Sequence, residues 1–268
     1  MDSLFLSPPE ISEAIRDIGE KKANASIFEL IIFGILAGIY IAFGANAAIA
    51  VLSGGTLDPG LAKFLAGGVF SVGLMLVLIP GSELFTGNIL MVIGFIYRKY
   101  SLARVLRNWF VVYLGNLMGA MIIVWLVYKS GLLLNSGNLT SMGITALGIM
   151  EAKLQLTFLE ALCRGILCNM LVCMAVIMCI ASRTITGKIF GIFFPIMAFV
   201  VSGFEHSVAN MYFLPIGLML KGELISNYFS IFNNLIPVTI GNVIGGLLIV
   251  LLHPKVEERI GRILMRRK

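Results

Sequence analysis

Of the chain's 268 residues, 59% are hydrophobic and 13% charged, against roughly 25% charged in an ordinary soluble domain. This composition excludes an ordinary water-soluble globule and points to a helical membrane protein, since a β-barrel would show roughly 10-residue alternating segments. The net charge of +6 is no nucleic-acid signal, because the basic residues sit at helix ends and in the tail, where they set orientation.

The length suits one bundle. Residues 1–26 are expected to be an amphipathic surface helix: after Pro8-Pro9, Ile11, Ala14, Ile15 and Ile18 follow helical spacing. The acidic, polar start and the long apolar run behind it do not read as a cleavable signal peptide.

Six spans are expected over residues 27–254, each near the ~20 residues a bilayer core needs. The first covers Ile27–Leu52. The second, Leu61–Tyr97, is broken at Gly81–Asn88. The third covers Leu106–Tyr128, and Leu132–Met150 reads as a polar loop. The fourth covers Leu154–Ser182. The fifth, Ile189–Leu220, is broken at Ser202–Asn210, and the sixth, Ile231–His253, is stopped by Pro254. Residues 255–268 form a basic tail. With the N-terminus placed in the cytoplasm, fifteen of the twenty Lys and Arg residues fall on that side. The multi-pass chain is therefore expected to lie in the cell (inner) membrane with both termini cytoplasmic.

The two halves echo each other. Gly115-Asn116-Leu117-Met118-Gly119 returns as Gly241-Asn242-Val243-Ile244-Gly245, and Gly34-Ile35-Leu36-Ala37 as Gly165-Ile166-Leu167-Cys168. Three spans per half is odd, so the halves must be inverted. The fold class is then an all-α, aquaporin-like membrane protein of two inverted three-helix repeats, with the second and fifth helices broken around a midplane site.

The breaks carry the chemistry. Gly81-Ser82-Glu83-Leu84-Phe85-Thr86-Gly87-Asn88 and Ser202-Gly203-Phe204-Glu205-His206-Ser207-Val208-Ala209-Asn210 put ionisable and polar groups at membrane depth, where such groups mark function. A broken helix presents free N–H groups that suit an anion. Glu83 and Glu205 are expected to shape the loops by accepting N–H bonds, helped by Gly87 and Asn210, because a bare carboxylate repels an anion. His206 is the candidate for direct contact, as a donor of a hydrogen bond or a proton, with Thr86 opposite. Phe70, Leu74, Leu84, Phe199 and Val200 are candidate apolar constrictions. Lys153, at the head of the fourth span, is an interfacial anchor or an attractor of anions. Arg164 is expected to be buried and paired with Glu160 four residues earlier, with Asn169 near that pair. Cys163, Cys168, Cys173 and Cys179 scatter around one helix and read as packing residues; no metal set or cofactor is expected.

These break motifs, with Ile236-Pro237-Val238-Thr239-Ile240-Gly241-Asn242, closely resemble the formate/nitrite transporter family from about Phe28 to Pro254. The resemblance implies a homopentamer with one pore per protomer and a loop at the first break that changes conformation. It implies that His206 is the central histidine, Thr86 and Asn169 pore-side groups, Lys153 the outer lysine, and Phe70, Leu74, Leu84 and Phe199 the constrictions. Members pass small monovalent anions, so hydrosulfide, formate and nitrite are the expected partners. The Gly81–Asn88 form looks closer to nitrite- or hydrosulfide-type members than to formate-type ones, which carry Gly-Ala-Asp-Leu-Phe-Thr. Arg164 stands where an apolar residue is found in a formate channel.

A proton-coupled transporter of the same anions is the nearest alternative. An aquaporin-like neutral-solute pore lacks the Asn-Pro-Ala signatures here. No enzyme is expected: an intramembrane hydrolase built on Ser207, His206 and Glu205 would need neighbours on one backbone to converge, whereas triads come from separate elements.

Overall fold

A computed structural model describes residues 3–224, 227–253 and 256. Pro254 and the expected basic tail, Val256 apart, lie outside the described residues. Among these, five helices are long and apolar enough to cross a membrane: α2 (Ile27–Leu52), α3 (Pro59–Leu78), α5 (Leu102–Lys129), α7 (Phe158–Ala181) and α10 (Ser230–Leu251). The shorter helices are α1 (Pro8–Asn24), α4 (Val92–Ile96), α6 (Ser141–Leu154), α8 (Ile185–Val201) and α9 (Ser207–Leu220). This is a multi-pass membrane protein built almost wholly of helices.

Local chemistry sets the boundaries. Ser26 opens α2 and Thr157 opens α7, each accepting the N–H three residues on, while Glu29 and Glu160 reach back to the cap N–H. These reciprocal bonds satisfy donors that a helix end leaves free. Asp58 caps α3 ahead of Pro59, whose missing N–H would have been unpaired there anyway.

Packing follows the glycines. A Cβ on Gly38 would stand 2.1 Å from the Asn116 carbonyl oxygen, and one on Gly119 2.0 Å from that of Ile35, so α2 and α5 touch backbone to backbone. The α7–α10 pair repeats this: a Cβ on Gly245 would lie 2.1 Å from the Ile166 oxygen, and one on Gly241 2.3 Å from that of Leu162. In a membrane, where lipid is as apolar as leucine, close approach of small residues drives association. The Gly34–Ala37 and Gly165–Cys168 stretches, and the two Gly-Asn-x-x-Gly runs, meet in these two crossings. Helix α9 is buried continuously from Ser207 to Leu218 and lies at the centre of the bundle.

The two polar stretches interrupt the helices. After α3 the chain turns at Gly81, with φ at +93°, and re-enters as a 3₁₀ helix, Gly87–Met91, that leads into α4. Between α8 and α9 it turns at Gly203, with φ at +70°. Both angles suit glycine and strain other residues.

Three expectations are corrected. Leu132–Met150 is not a loop: strands β1 (Leu134–Asn135) and β2 (Asn138–Leu139) pair antiparallel, and α6 follows. Ser136 and Gly137, at φ +51° and +83°, form the tight hairpin turn. Helix α6 buries Gly143, Ala146 and Met150 at helical spacing, and its 14 residues are too few to register as a span. The following helix begins at Phe158 rather than Leu154, because Thr157 caps it. Lys153 consequently ends α6 instead of heading the next helix.

Helix α1 does not rest on the membrane surface alone. Ser12, Ile15, Gly19 and Ala23 are buried. The Arg16 guanidinium lies 4.4 Å from the Tyr97 ring centre, and Arg107 Nη2 donates to the Ala23 and Ala25 carbonyls at 2.9 Å.

Candidate functional site

Two loops meet at His206. Each is pinned by one buried asparagine from a neighbouring helix. In the first loop, Asn116 Nδ2 donates to the Gly34 and Glu83 carbonyls at 2.8 and 2.9 Å, and its Oδ1 accepts the Phe85 N–H at 3.0 Å. In the second, Asn242 Nδ2 donates to the Gly165 and Glu205 carbonyls at 2.8 and 2.9 Å, and its Oδ1 accepts the Ser207 N–H at 2.8 Å. Irregular backbone at membrane depth needs such partners.

Each loop glutamate sits in a matching cluster. Glu205 Oε1 lies 2.8 Å from Lys153 Nζ, and Oε2 accepts from Asn210 Nδ2 at 2.6 Å. Asn210 Nδ2 also donates to Asn234 Oδ1, and Asn234 donates to the Lys153 carbonyl. On the other side Glu83 Oε1 lies 2.9 Å from Lys22 Nζ, Glu83 Oε2 accepts from Asn88 Nδ2 at 2.7 Å, and Asn88 Nδ2 donates to Asn108 Oδ1. The carboxylates thus bind side-chain amides and lysines rather than the backbone N–H groups expected from sequence.

Lys22 is not among the site residues the sequence singles out. A signal for it exists: Lys22 stands four residues before the Ser26 cap, as Lys153 stands four before the Thr157 cap. The last turns of α1 and α6 thus each hold a lysine at the same distance from the cap of the helix that follows.

The loops are joined by one hydrogen bond. His206 Nε2 lies 2.9 Å from Thr86 Oγ1, with both side chains buried. His206 also caps α9, its Nδ1 accepting the Ala209 N–H at 3.1 Å. With that lone pair occupied, the neutral ring carries its proton on Nε2 and donates it to Thr86. The Thr86 hydroxyl hydrogen remains free for another acceptor. Asn169 supports Thr86 from behind, donating to its carbonyl at 3.2 Å and to that of Asn242 at 2.6 Å.

Cavities open on either side. One, of about 450 Å³, is lined by Lys22, Glu83, Leu84, Asn88 and Lys188 among others. The other, of about 630 Å³, is lined by Lys63, Lys153, Arg164, Glu205, His206 and the Phe70 and Phe199 rings. Phe70 and Phe199 meet edge to face with centres 5.5 Å apart, and Phe199 stacks on the His206 ring at 6.0 Å. Leu74 and Leu84 are buried in the same apolar cluster, and Val200 is half-buried beside it. Of the sequence-chosen residues, the structure gathers His206, Thr86, Phe70, Phe199 and Asn169 around the junction. Leu84 faces one cavity and Lys153 the other.

The Arg164 expectation is corrected in one respect: the side chain is exposed rather than buried. Glu160 is held by Thr157, its Oε2 accepting the cap N–H at 2.8 Å and the hydroxyl at 2.7 Å. Arg164 makes no carboxylate contact within 4 Å among the described residues, but its charge still acts on the Glu160 carboxylate one turn earlier. Asn169 binds backbone carbonyls and joins no Arg164 network.

A family profile described as "Formate/nitrite transporter" matches residues 9–255. The chain belongs to the formate/nitrite transporter family. It is 44% identical over 265 residues to a "Probable formate transporter" of Methanothermobacter thermautotrophicus, covering 93% of this chain and 96% of that one. It is 35% identical over 264 residues to the "Formate channel FocA" of Escherichia coli (strain K12), covering 92% of each. Among solved structures it is similar to a "Pentameric formate channel with formate bound", at a TM-score of 0.71 and 34% identity over 92% of this chain and 99% of that one. It is also similar to an "FNT family ion channel", at 0.78 and 27% over 94% and 97%. These relatives of the formate/nitrite transporter chain are transporters and channels, and none of the four is named for an enzymatic activity.

Proposed function

We propose that this protein is a homopentameric channel for small monovalent anions of weak acids, with one pore in each protomer. Formate leads the substrate list because three of the four relatives named above are named for formate; nitrite and hydrosulfide follow. The first-loop form, which pointed to nitrite or hydrosulfide, carries less weight than identity over the whole chain. The scaffold is six spans in two inverted repeats, in the inner membrane, with both termini cytoplasmic.

The observation that carries this reading is the His206–Thr86 hydrogen bond between two cavities that each hold a lysine–glutamate pair. The lysine Nζ groups bring anions to the cavities, and Glu83 and Glu205 hold them in place. A dehydrating anion then meets the Phe70–Phe199 pair on one side and Leu84 on the other. Between them it finds two donors, Nε2–H of His206 and O–H of Thr86, and displaces the bond that joins them. Two donors in a dry site compensate a monovalent anion for part of its lost hydration, while apolar rings on either side exclude larger hydrated ions.

The test is flux into proteoliposomes of the purified protein at fixed potential, with formate, nitrite, hydrosulfide and chloride compared side by side. Formate above chloride is expected. Chloride carried as fast as formate overturns the weak-acid reading, and uphill accumulation driven by a pH gradient replaces the channel with a proton-coupled transporter.

A further inference from the structure

Phe85 stands between Leu84 and Thr86, yet its buried side chain lines neither cavity. Its ring meets the Tyr113 ring edge to face with centres 4.9 Å apart, and the Trp109 ring likewise at 6.2 Å. Trp109 Nε1 donates to the Asn88 carbonyl at 3.0 Å, and the Tyr113 hydroxyl lies 3.0 Å from Thr239 Oγ1 of α10. Trp109, Tyr113 and Asn116 follow one another at spacings of four and three, which place them on one face of α5. That face holds the first loop at its start through Asn116, in its middle through the Phe85 ring and at its end through Asn88.

The second loop has no such lock. Setting Asn116 on Asn242 also sets Asn108 on Asn234, Trp109 on Leu235 and Tyr113 on Thr239; setting Glu83 on Glu205 sets Asn88 on Asn210 and Phe85 on Ser207. The hydrogen bonds agree, since Asn108 accepts from Asn88 as Asn234 accepts from Asn210. Where the first loop carries the Phe85 ring, the second carries Ser207, whose buried hydroxyl has no partner among the described residues. The second loop is instead fixed by His206, which caps α9. The aromatic lock is therefore added to the first loop alone, beside Thr86, and its outer bond joins the equivalent positions Tyr113 and Thr239 where the two halves meet.

Resting on the channel reading above, we infer that Trp109, Tyr113 and Thr239 are positioning residues: through Phe85 they hold the Thr86 hydroxyl at the junction while an anion takes the place of the His206–Thr86 bond. At that moment Thr86 loses its side-chain tie to His206 and keeps the Asn169 bond to its carbonyl. The direction of its hydroxyl then rests on the neighbouring backbone, which the Phe85 ring anchors. An edge-to-face ring pair shifts an equilibrium by roughly two- to ten-fold beyond its burial, and this lock has two. Held, Thr86 offers the ion a second donor; released, it leaves the ion to His206.

The experiment is the ratio of formate to chloride flux into proteoliposomes of the purified full-length protein, comparing the parent with Y113L, Y113F, T239V, T86V and Y113L/T86V. Size exclusion first shows that each variant assembles as the parent does; should Y113L fail to assemble, Y113F/T86V carries the same comparison. Y113L is expected to lower the ratio roughly three-fold or more. Y113F and T239V, which each delete the same hydrogen bond and keep the ring pairs, should each lower it by roughly two-fold. T86V should lower it at least as far as Y113L, and adding Y113L to T86V should lower it no further, because the lock then has no hydroxyl to hold. A Y113L loss that adds in full on top of T86V makes the effect structural and overturns the inference. So does a parental ratio in Y113L. A parent that carries chloride as fast as formate overturns the channel reading, and a parental ratio in T86V removes Thr86 as a donor; either takes this inference with it.

Discussion

Replacing Lys153 by methionine deletes half of a buried ion pair while keeping most of the side chain's volume. Lys153 and Glu205 side chains are only 15% and 5% exposed, with Nζ and Oε1 2.8 Å apart. Without Nζ, the carboxylate keeps one amide donor, Asn210 Nδ2. Removing one partner of a buried pair costs about 3–5 kcal/mol, because the remaining charge stays in a poor solvent. Exchanging both partners for neutral groups is often close to neutral. K153M/E205Q is therefore expected to recover most of that loss, with the glutamine carbonyl accepting from Asn210. Thermal unfolding in detergent, followed by loss of the assembled size-exclusion peak, reads the stability. Formate efflux at low salt reads function and should fall in both variants, since both lack the lysine. K153M as stable as the parent, or a double variant no better than K153M, would refute the reasoning.

Four further outcomes are expected. His206→Phe removes a donor to a charged substrate, worth about 1.5–3 kcal/mol, so formate flux should drop about ten-fold or more; parental flux of formate, nitrite and hydrosulfide would exclude the donor role. Phe199→Ala and Leu84→Ala each open one apolar wall and should raise flux of acetate relative to formate in the same liposome assay, and unchanged selectivity in both would place the constriction elsewhere. Asn242→Ala leaves the Glu205 carbonyl and Ser207 N–H of the second loop and the Gly165 carbonyl of α7 without their partner; at about 0.6 kcal/mol per bond in membrane proteins the loss is roughly 2 kcal/mol, to be read as a lower melting temperature and faster hydrogen exchange at Ser207. The Glu10 carboxyl is held below its ordinary 4.5 by hydrogen bonds from the Ser7 hydroxyl and N–H. A depressed folded value contributes stability above the unfolded one and loses it as pH falls through the folded one. Protection of the α1 amides, corrected for the intrinsic pH dependence of exchange, should therefore hold from neutral pH down to the ordinary carboxylate range and fall progressively below it, and protection already falling near neutrality would contradict the assignment.

The elements that composition and local pattern can specify were legible in the chain. Apolar runs marked α2, α3, α5, α7 and α10, because hydropathy over some twenty residues is a local quantity. Glycines beside polar residues marked the two interruptions, and the Gly-Asn-x-x-Gly runs marked where α5 and α10 bring an asparagine to a loop. Helix α6 escaped, because its one buried face uses glycine, alanine and methionine rather than a long apolar run. Arg164 was expected to be buried because it falls inside an apolar run, yet it stands on a face of α7 that borders a cavity, which hydropathy alone does not reveal.

The sequence by itself determined that this chain crosses a membrane several times, where its helices are interrupted, and which residues stand in the interruptions, since each follows from short-range hydropathy and backbone preference. Only the tertiary structure decided which groups meet. His206 and Thr86 are 120 residues apart, Glu83 and Asn116 are 33 apart, and Lys22 reaches Asn88 across 66. No period in the chain encodes those distances. They are fixed when glycine-lined helices cross closely enough to carry asparagine amides to loop carbonyls, and the same crossing leaves the Arg164 side chain exposed in the cavity beside His206.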